Sequence, residues 1–309
     1  MLKSLWTRSK PPGLAGLQFR EGQMNLALCM GEGANARLKV CETLEVEDDW
    51  PARRRLLSER VKGLSLGGVG CNLVLEPERY QLFMMEAPKV PGNELRDAIK
   101  WKVKDLISFP LEDAVIDVMP LPDDCGRAGQ KLVYAVVAKR DFITAAIDTV
   151  LAAKLELSSI DIDEMSSRNL ALAAAPGPRG VALVHIDEGR GAMTLVKDDC
   201  LYLSRNFALN YSGGLLDDLP VDALILELQR SFDYYERQLG QVPPAQICLY
   251  GEHVTADKIT QSLRQAFFGV EFSVLSIADL VAPDEQYDEA ILQHCASVIG
   301  ASLRREAVQ

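Results

Sequence analysis

The residues best suited to chemistry lie at the turns between predicted strands. Glycine at a tight turn lets backbone N–H groups approach a phosphate, and a neighbouring aspartate can hold Mg²⁺ and its waters. One such turn contains Asp187 and Gly189, whereas an earlier turn contains Gly22 without an aspartate. Each of these turns is most simply a β-hairpin turn, and the later one differs from the earlier one in having an aspartate two residues before its glycine.

The other reactive residue types do not form a recognisable site. Asp161 and Asp163 alternate along a predicted strand, which puts both on one exposed face or leaves one of them as a helix cap. The seven cysteines are scattered without a CxxC pair, and the three histidines are too few and too far apart to suggest metal ligands. We expect no disulfide framework and no metal site.

The composition is that of an ordinary globular protein with one or two domains. The 309 residues are 48% hydrophobic and 25% charged, which excludes disorder over most of the chain. The net charge of −11 disfavours a nucleic-acid partner, because a phosphate backbone attracts a basic surface. We find no apolar run of the ~18 residues that a spanning helix needs, and no secretory signal. We therefore expect a cytoplasmic protein.

The elements that must position the turns form three successive groups. The first group is a meander of three strands, a helix capped by Asp48 or Asp49, and a buried strand. Glycine at each break permits the positive φ that tight hairpins require. The predicted strands cover residues 13–20, 23–29, 37–44 and 71–75, and the helix runs to about residue 61.

The second group is a small module of order β-α-β-β-α. Leu95, Ile99 and Val103 recur at helical spacing, and Asn93 precedes them as the expected N-cap. The predicted strands cover residues 80–87, 114–121 and 131–137, and the predicted helices cover 95–107 and 141–154.

The third group repeats the β-β-β-α-β order of the first, which implies an internal duplication. This topology is that of the actin and sugar-kinase superfamily, in which a nucleotide sits between two halves. The predicted strands cover 181–186, 192–196, 200–207, 246–250 and 270–275, and the helices cover 221–239, 256–268 and 289–304. The predicted fold class is α/β, a duplicated actin-like (ribonuclease H-like) fold with an inserted small α+β subdomain. The predicted divisions are a tail (1–11), a first half (12–78 and 155–180), the insertion (79–154) and a second half (181–309).

Four stretches give the chain its resemblance to a known family. They are ELRDAIKW running into ISFPLE (94–101 and 107–112), YAVVAK (134–139), IDIDE (160–164) and LELQRSFDYY (226–235). In these stretches the chain resembles the PilM/MshI family of type IV pilus (MSHA pilus) biogenesis proteins. The resemblance covers nearly the whole chain from about residue 12.

The resemblance implies a function and a set of partners. It implies a non-catalytic cytoplasmic scaffold, peripheral to the inner membrane, that binds the cytoplasmic tail of a PilN-like bitopic protein. It also implies the pilus motor ATPase as a further partner and only indirect membrane contact. We expect Trp101, Phe109 and Pro110 to bind the partner, although each could instead be a packing or helix-stop residue.

The same resemblance predicts a degenerate nucleotide pocket. Against the Asp-x-Gly loops of actin-like ATPases, Gln18 and His185 replace the two aspartates, and a shift by two residues recovers an aspartate at 187. We therefore expect no ATP hydrolysis and no required cofactor, with weak Mg²⁺-independent binding of ATP or ADP left open. The alternatives are an active actin-like ATPase, or the cytoplasmic GspL-like module of a type II secretion system. The residues of the predicted pocket are Gln18, Arg20, His185, Asp187, Gly189 and Gly251.

Overall fold

The computed structural model describes residues 13–31, 35–126, 129–212, 218–259, 261–284 and 287–304. The predicted N-terminal tail, residues 1–11, lies outside the described residues. The strands, in chain order, are β1 (Leu14–Arg20), β2 (Gln23–Met30), β3 (Arg37–Glu45), β4 (Gly70–Leu75), β5 (Tyr80–Glu86), β6 (Ala114–Pro120), β7 (Leu132–Lys139), β8 (Glu156–Ile162), β9 (Val181–Asp187), β10 (Arg190–Lys197), β11 (Cys200–Ala208), β12 (Gln246–Tyr250) and β13 (Glu271–Val274).

The helices connect these strands and cover the sheets. In chain order they are α1 (Trp50–Gly63), α2 (Leu95–Val103), α3 (Arg140–Ala152), α4 (Asp163–Ala173), α5 (Val221–Arg237), α6 (Gln261–Ala266), α7 (Ile277–Val281), α8 (Glu289–His294) and α9 (Ala296–Ser302). Within the described ranges, no helix combines the length and apolar character needed to cross a bilayer.

The first sheet has the order β3-β2-β1-β4-β8. Its first three strands form an antiparallel meander, and β4 and β8 add to it in parallel. Helices α1 and α3 cover one face and α9 covers the other. Since both faces are covered, β1 is a nearly continuous apolar strand rather than an alternating one.

The second sheet repeats this arrangement in the order β11-β10-β9-β12-β13, again with a meander followed by parallel strands. A separate antiparallel sheet, β5-β7-β6, is packed against α2 and lies in sequence between β4 and β8. The predicted duplication and the predicted insertion are both confirmed.

Several predicted helix boundaries are wrong. Glu94, not Asn93, is the N-cap of α2, because residues 92–94 form a 3-10 turn. The same helix ends at Val103 rather than at residue 107. The predicted closing helix is interrupted at Cys295, and the predicted helix 256–268 contains a 3-10 turn and the short α6.

Helices α4 and α9 pack against each other between the two large sheets. Glycine allows this close approach, since a Cβ on Gly300 would lie 2.4 Å from the Ser166 carbonyl oxygen. The Asn169 side chain donates to the Gly300 carbonyl at 3.0 Å, and the Asn72 side chain donates to the Ala301 carbonyl at 2.9 Å. Helix α9 thus packs on the first sheet, although residues 181–309 were predicted as the second half. The boundaries of the two predicted halves stay a prediction.

Candidate functional site

A cavity of about 680 Å³, here called the charged cleft, opens where the hairpins β1–β2 and β9–β10 approach each other. Each hairpin brings the end of its first strand to the cleft, so the two hairpins of the predicted degenerate pocket lie together. The polar and charged residues lining it are Arg20, Glu21, Gln23, Glu76, Glu78, Arg79, Asp187, Glu188, Tyr211, Ser212, Glu252, His253 and His294.

The first hairpin contributes Gln18 and Arg20. Gln18 is paired with Asn25 of β2 and with Val74 of β4, and only 4% of its surface is exposed. It borders a small cavity of about 30 Å³ below the charged cleft. The Arg20 carbonyl accepts a hydrogen bond from the Arg53 guanidinium at 2.8 Å. Arg20 also lines the charged cleft. This hairpin therefore presents a cation where a phosphate loop has a glycine.

The second hairpin contributes His185 and Asp187. The His185 ring stacks on Tyr250 with 4.6 Å between centroids, and burial lowers the pKa of His185, which leaves the ring neutral at pH 7. Burial opposes ionisation of Asp187, but the Glu188 backbone N–H, which donates to the carboxylate at 2.8 Å, and the charged Arg190 hold the pKa of Asp187 below its usual range. Asp187 is therefore ionised in the folded protein.

A single arginine bridges the second hairpin to the first sheet. The Arg190 guanidinium donates to Glu78 at 2.7 Å and to Asp187 at 3.3 Å. Glu78 lies in the 3-10 turn after β4, so this contact joins residues 112 positions apart in the chain. The carboxylate that the shifted alignment would assign to Mg²⁺ thus already has a cation as its partner.

Gly189 and Gly251 have different structural roles. Gly189 adopts φ +73° at the tip of the β9–β10 hairpin, and open space surrounds the position of its missing Cβ. Gly251 adopts φ +143°, and a Cβ there would lie 2.0 Å from the Ile186 carbonyl oxygen. Its N–H donates to the Gln293 side chain at 3.1 Å. Glycine at 251 is therefore required by the packing of its own chain.

The lining of the charged cleft is predominantly acidic. Six carboxylates face it, against two guanidiniums and two histidines. Glu76 pairs with Arg79 at 2.9 Å, and Glu252 pairs with His294. Such a lining fits an Mg²⁺–nucleotide poorly, because the polyphosphate would face an excess of negative charge. Within the described residues, no cluster of three metal-ligating side chains is present.

The sequence interpretation missed the acidic segment after β4. Glu76 and Glu78 follow directly on a strand that was predicted as buried, and the carboxyl end of such a strand commonly borders a site in α/β folds. The position of these two glutamates at the end of a buried strand could therefore have indicated a site. Arg190 and Gln293 gave no such signal, because their roles depend on contacts distant in sequence.

The carboxylates of β8 and α4 differ from the expected exposed strand face. Asp161 is buried and pairs with Arg304. Asp163 begins α4 and accepts a hydrogen bond from Ser297. Glu164 is only 5% exposed, and burial raises its pKa.

A second cavity, here called the aromatic groove, lies between the first sheet's helices and the inserted subdomain. It has a volume of about 630 Å³ and is lined by Trp50, Glu78, Arg79, Tyr80, Gln81, Ser108, Phe109, Val137, Lys139, Asp141, Phe142 and Ala145. The Trp50 and Phe142 rings meet edge to face with 5.2 Å between centroids. Arg79 lies 4.9 Å from the Phe142 ring centre, and Lys139 lies 5.7 Å from that of Phe109. The groove offers ring faces and cations together.

The structure separates the three residues predicted to bind the partner. Phe109 lines the aromatic groove. Pro110 follows it as an exposed residue that caps a 3-10 turn. Trp101 lies on α2 outside the groove lining, and 68% of its surface is exposed, with Lys104 at 5.9 Å from its ring centre. Their binding roles stay predictions.

Comparison with known proteins defines the fold. No protein-family model matches the sequence, and no curated protein matches it. A chain of the PilM-PilN type IV pilus biogenesis complex aligns over 96% of this chain and 100% of its own length, with 17% identity and a TM-score of 0.66. A protein of actin-like ATPase fold and unknown function from Bacteroides thetaiotaomicron aligns over 91% of this chain and 97% of its own, with 12% identity and a TM-score of 0.52. The chain has a duplicated actin-like fold.

A more distant likeness involves the cytoplasmic domain of EpsL, an inner membrane component of the type II secretion system of Vibrio cholerae. It aligns over 77% of this chain and 81% of its own length, with 12% identity and a TM-score of 0.47. That degree of likeness supports no inference about the present chain.

Proposed function

We propose that this chain is a PilM-type component of a type IV pilus inner-membrane assembly complex, in which it is a non-catalytic scaffold. It binds the cytoplasmic tail of a PilN-like bitopic membrane protein in the aromatic groove. The observation that carries this proposal is the groove itself, a preformed cavity of aromatic faces and cations that lies apart from the two hairpin turns. The shared fold with a chain of the PilM-PilN complex supports the choice of partner.

The aromatic groove suits an extended peptide with apolar side chains. Its volume of about 630 Å³ is in the range of preformed ligand sites. The rings of Trp50 and Phe142 form an apolar floor, and Arg79 and Lys139 can donate to backbone carbonyls of a bound segment. Aromatic residues supply much of the binding energy at protein interfaces, so Phe109 is the expected anchor.

The non-catalytic part of the proposal rests on the charged cleft. Gln18 is neutral, His185 is held neutral by burial, and Asp187 already has Arg190 as a partner. Phosphoryl transfer in this fold depends on positioned Mg²⁺ and on groups that neutralise phosphate charge. The six carboxylates of the cleft work against that requirement.

The finer assignments are part of the same proposal. The four motif stretches support an MSHA-type pilus as the system, with the protein cytoplasmic and peripheral to the inner membrane. The pilus motor ATPase is the proposed further partner. Membrane contact is then indirect, through the PilN-like protein.

Cell fractionation tests the partner-dependent localisation. We expect the chain in the membrane fraction when the PilN-like protein is present, and in the soluble fraction when that protein lacks its cytoplasmic tail. Co-purification should show the same dependence. Equal membrane recovery with and without the tail would contradict the proposal.

Phosphate release with excess Mg·ATP tests the non-catalytic role, with and without the partner's tail. We expect release at the background rate in both cases. Turnover that disappears in Asp187→Ala would instead support an active actin-like ATPase with the shifted loop alignment, in which Asp187 holds the metal.

A further inference from the structure

The buried carboxyl group of Glu164 lies where the first sheet, the second sheet and the inserted subdomain meet. Glu164 is the second residue of α4, a helix that follows directly on β8 and packs against the second sheet. Only 5% of its surface is exposed, and it lies outside the lining of the charged cleft. Burying a carboxyl group is costly unless hydrogen bonds satisfy it. Its hydrogen-bond partners therefore indicate what this group holds in place.

Two hydroxyl groups from different sheets donate to this carboxyl group. The Tyr80 hydroxyl donates to Oε2 of Glu164 at 2.5 Å, and the Ser204 hydroxyl donates to Oε1 at 3.2 Å. Tyr80 is the first residue of β5 in the inserted subdomain, whereas Ser204 lies on β11 of the second sheet. Each carboxyl oxygen thus has one donor, and the two donors belong to different parts of the molecule. The Glu164 side chain therefore connects the inserted sheet to the second sheet.

A further hydrogen bond closes this connection into a network. The Ser204 backbone N–H donates to the Tyr134 hydroxyl at 2.9 Å. Tyr134 lies on β7 and pairs with Met84 of β5, the strand that begins with Tyr80. Hydrogen bonds therefore run from Tyr134 through Ser204 and Glu164 to Tyr80, and both ends of the network are in the inserted sheet. A network with all its members satisfied holds its side chains in one arrangement.

Tyr80 also belongs to the aromatic groove, where it lines the cavity together with Trp50. Only 9% of the Tyr80 surface is exposed, and its side chain packs with Ile143 and Ile162 in the interior. A buried hydroxyl group without a hydrogen-bond acceptor is costly, so the Tyr80 ring is stable in this position only where an acceptor lies beside its hydroxyl. The Glu164 carboxyl group supplies that acceptor, and it thereby fixes the orientation of the Tyr80 ring at the groove.

We propose that Glu164 is a positioning residue of the aromatic groove, which holds the Tyr80 wall in the orientation that receives the partner's tail. This inference rests on the proposed function, because it concerns the groove in which the tail binds. Glu164 itself lies outside the groove lining, so it acts through Tyr80 and not by touching the tail. A wall that is already ordered lowers the cost of binding, since less side-chain freedom is lost when the tail arrives.

Calorimetric titration with a peptide of the partner's cytoplasmic tail tests the proposal. Tyr80→Phe keeps the ring and removes only the hydroxyl, and it should weaken tail binding at least about fivefold. Glu164→Leu removes both acceptor oxygens and should weaken binding at least as much. The double variant should bind no more weakly than Glu164→Leu alone, because both substitutions break the same contact. Wild-type affinity in Tyr80→Phe overturns the proposal, and this variant also decides the question if Glu164→Leu does not fold.

Two further variants separate positioning from a general loss of stability. Glu164→Gln keeps an oxygen that accepts from Tyr80 and an amide that can donate to the Ser204 hydroxyl, so its affinity should stay within about twofold of the wild type. The matched control is Tyr202→Phe, since Tyr202 is a buried tyrosine outside the groove lining whose hydroxyl donates to Asp124 at 3.1 Å. It should keep wild-type affinity. Equal losses of affinity in Tyr80→Phe and Tyr202→Phe would overturn the proposal.

Hydrogen exchange of the free protein distinguishes a failure of this inference from a failure of the proposed function. Without any tail present, Tyr80→Phe should speed amide exchange at the start of β5 at least about fivefold, because the hydroxyl no longer holds that end of the strand. Tyr202→Phe should leave exchange there unchanged. If the wild type binds no tail but this faster exchange is seen, the proposed function fails and the positioning role of Glu164 stands. Unchanged exchange in Tyr80→Phe overturns the positioning role, even where the wild type binds the tail.

Discussion

The charged cleft and the aromatic groove are neighbours that share a wall formed by Glu78 and Arg79, yet their linings differ in kind. In the cleft, charged groups already have partners within the chain, such as Glu78 and Asp187 with Arg190. In the groove, half-buried aromatic residues form part of the lining, and the cations Arg79 and Lys139 lie near the rings of Phe142 and Phe109.

This difference indicates where a ligand would gain free energy. An anionic ligand entering the cleft meets six carboxylates against two guanidiniums and two histidines, so it faces an excess of negative charge. A ligand entering the groove covers apolar surface that is already arranged to receive it. An actin-like fold can thus keep the cleft between its two halves while a partner binds in a different cavity.

The largest expected effect is at Gly251, where a substitution tests whether glycine is needed for the packing of the chain. Gly251→Ala should lower the free energy of unfolding by about 3 kcal/mol or more, because its Cβ would overlap the Ile186 carbonyl at a strained φ. Gly189→Ala, at an open turn, should cost only about 1 to 2 kcal/mol. Chemical denaturation measures both, and equal costs would show that the close approach at Gly251 is not limiting.

The next effect concerns Trp101, which belongs to neither cavity. Trp101→Ala should weaken binding of the partner's tail by about tenfold or more, because tryptophan side chains are enriched among the residues that dominate binding at interfaces. It should change the free energy of unfolding by less than about 0.5 kcal/mol, because the ring is mostly exposed. Thermal unfolding and tail titration measure the two quantities. A large loss of melting temperature with full affinity would make Trp101 a packing residue.

The pH dependence of the free energy of unfolding tests the buried carboxyl group of Glu164. Burial raises the pKa of Glu164, whose carboxylate accepts from Tyr80 at 2.5 Å and from Ser204 at 3.2 Å. The contribution of this group to stability is therefore complete below its unfolded pKa of about 4.3 and is lost as pH rises through the folded pKa.

The variant Glu164→Gln isolates that contribution. Its free energy of unfolding should fall less between pH 5 and pH 8 than that of the wild type, since the amide does not ionise. Guanidinium titrations across that range measure the slope. Parallel wild-type and variant curves would mean that Glu164 does not ionise differently in the folded and unfolded states.

The smallest expected effect is that of the bridge across the cleft. Arg190→Ala should lower the free energy of unfolding by about 1 kcal/mol or less, because its ion pairs are partly exposed and screened by solvent. It should also speed hydrogen exchange of the β9–β10 hairpin. A loss of several kcal/mol would show that the bridge contributes to the stability of the whole fold.

The strands and hairpins could be predicted from the sequence because glycine turns and apolar runs are local signals. Helix α4 escaped prediction because it packs between two sheets and buries polar residues such as Ser167 and Asn169, which removes the usual amphipathic pattern. The closing helix was predicted without its break at Cys295, whose neighbours are set by contacts with distant strands.

The candidate sites were only partly predictable for the same reason. Resemblance located Gln18, His185 and Gly251, and the structure places all three beside the cleft or on its walls. The Arg190 bridge and the aromatic groove depend on residues from elements far apart in the chain, so no local sequence pattern predicts them. Among the predicted partner-binding residues, Phe109 alone lines the groove within the described residues.

The most direct test of the central claim is the affinity of the partner's cytoplasmic tail for the purified chain, measured by calorimetric titration. The variants are Phe109→Ala in the aromatic groove, Arg190→Ala in the charged cleft and Phe268→Ala, a fully exposed aromatic residue outside both. We predict that Phe109→Ala weakens binding at least about tenfold, while the other two stay within about twofold of the wild type. Full affinity in Phe109→Ala together with loss of binding in Arg190→Ala would contradict the account and place the tail in the cleft.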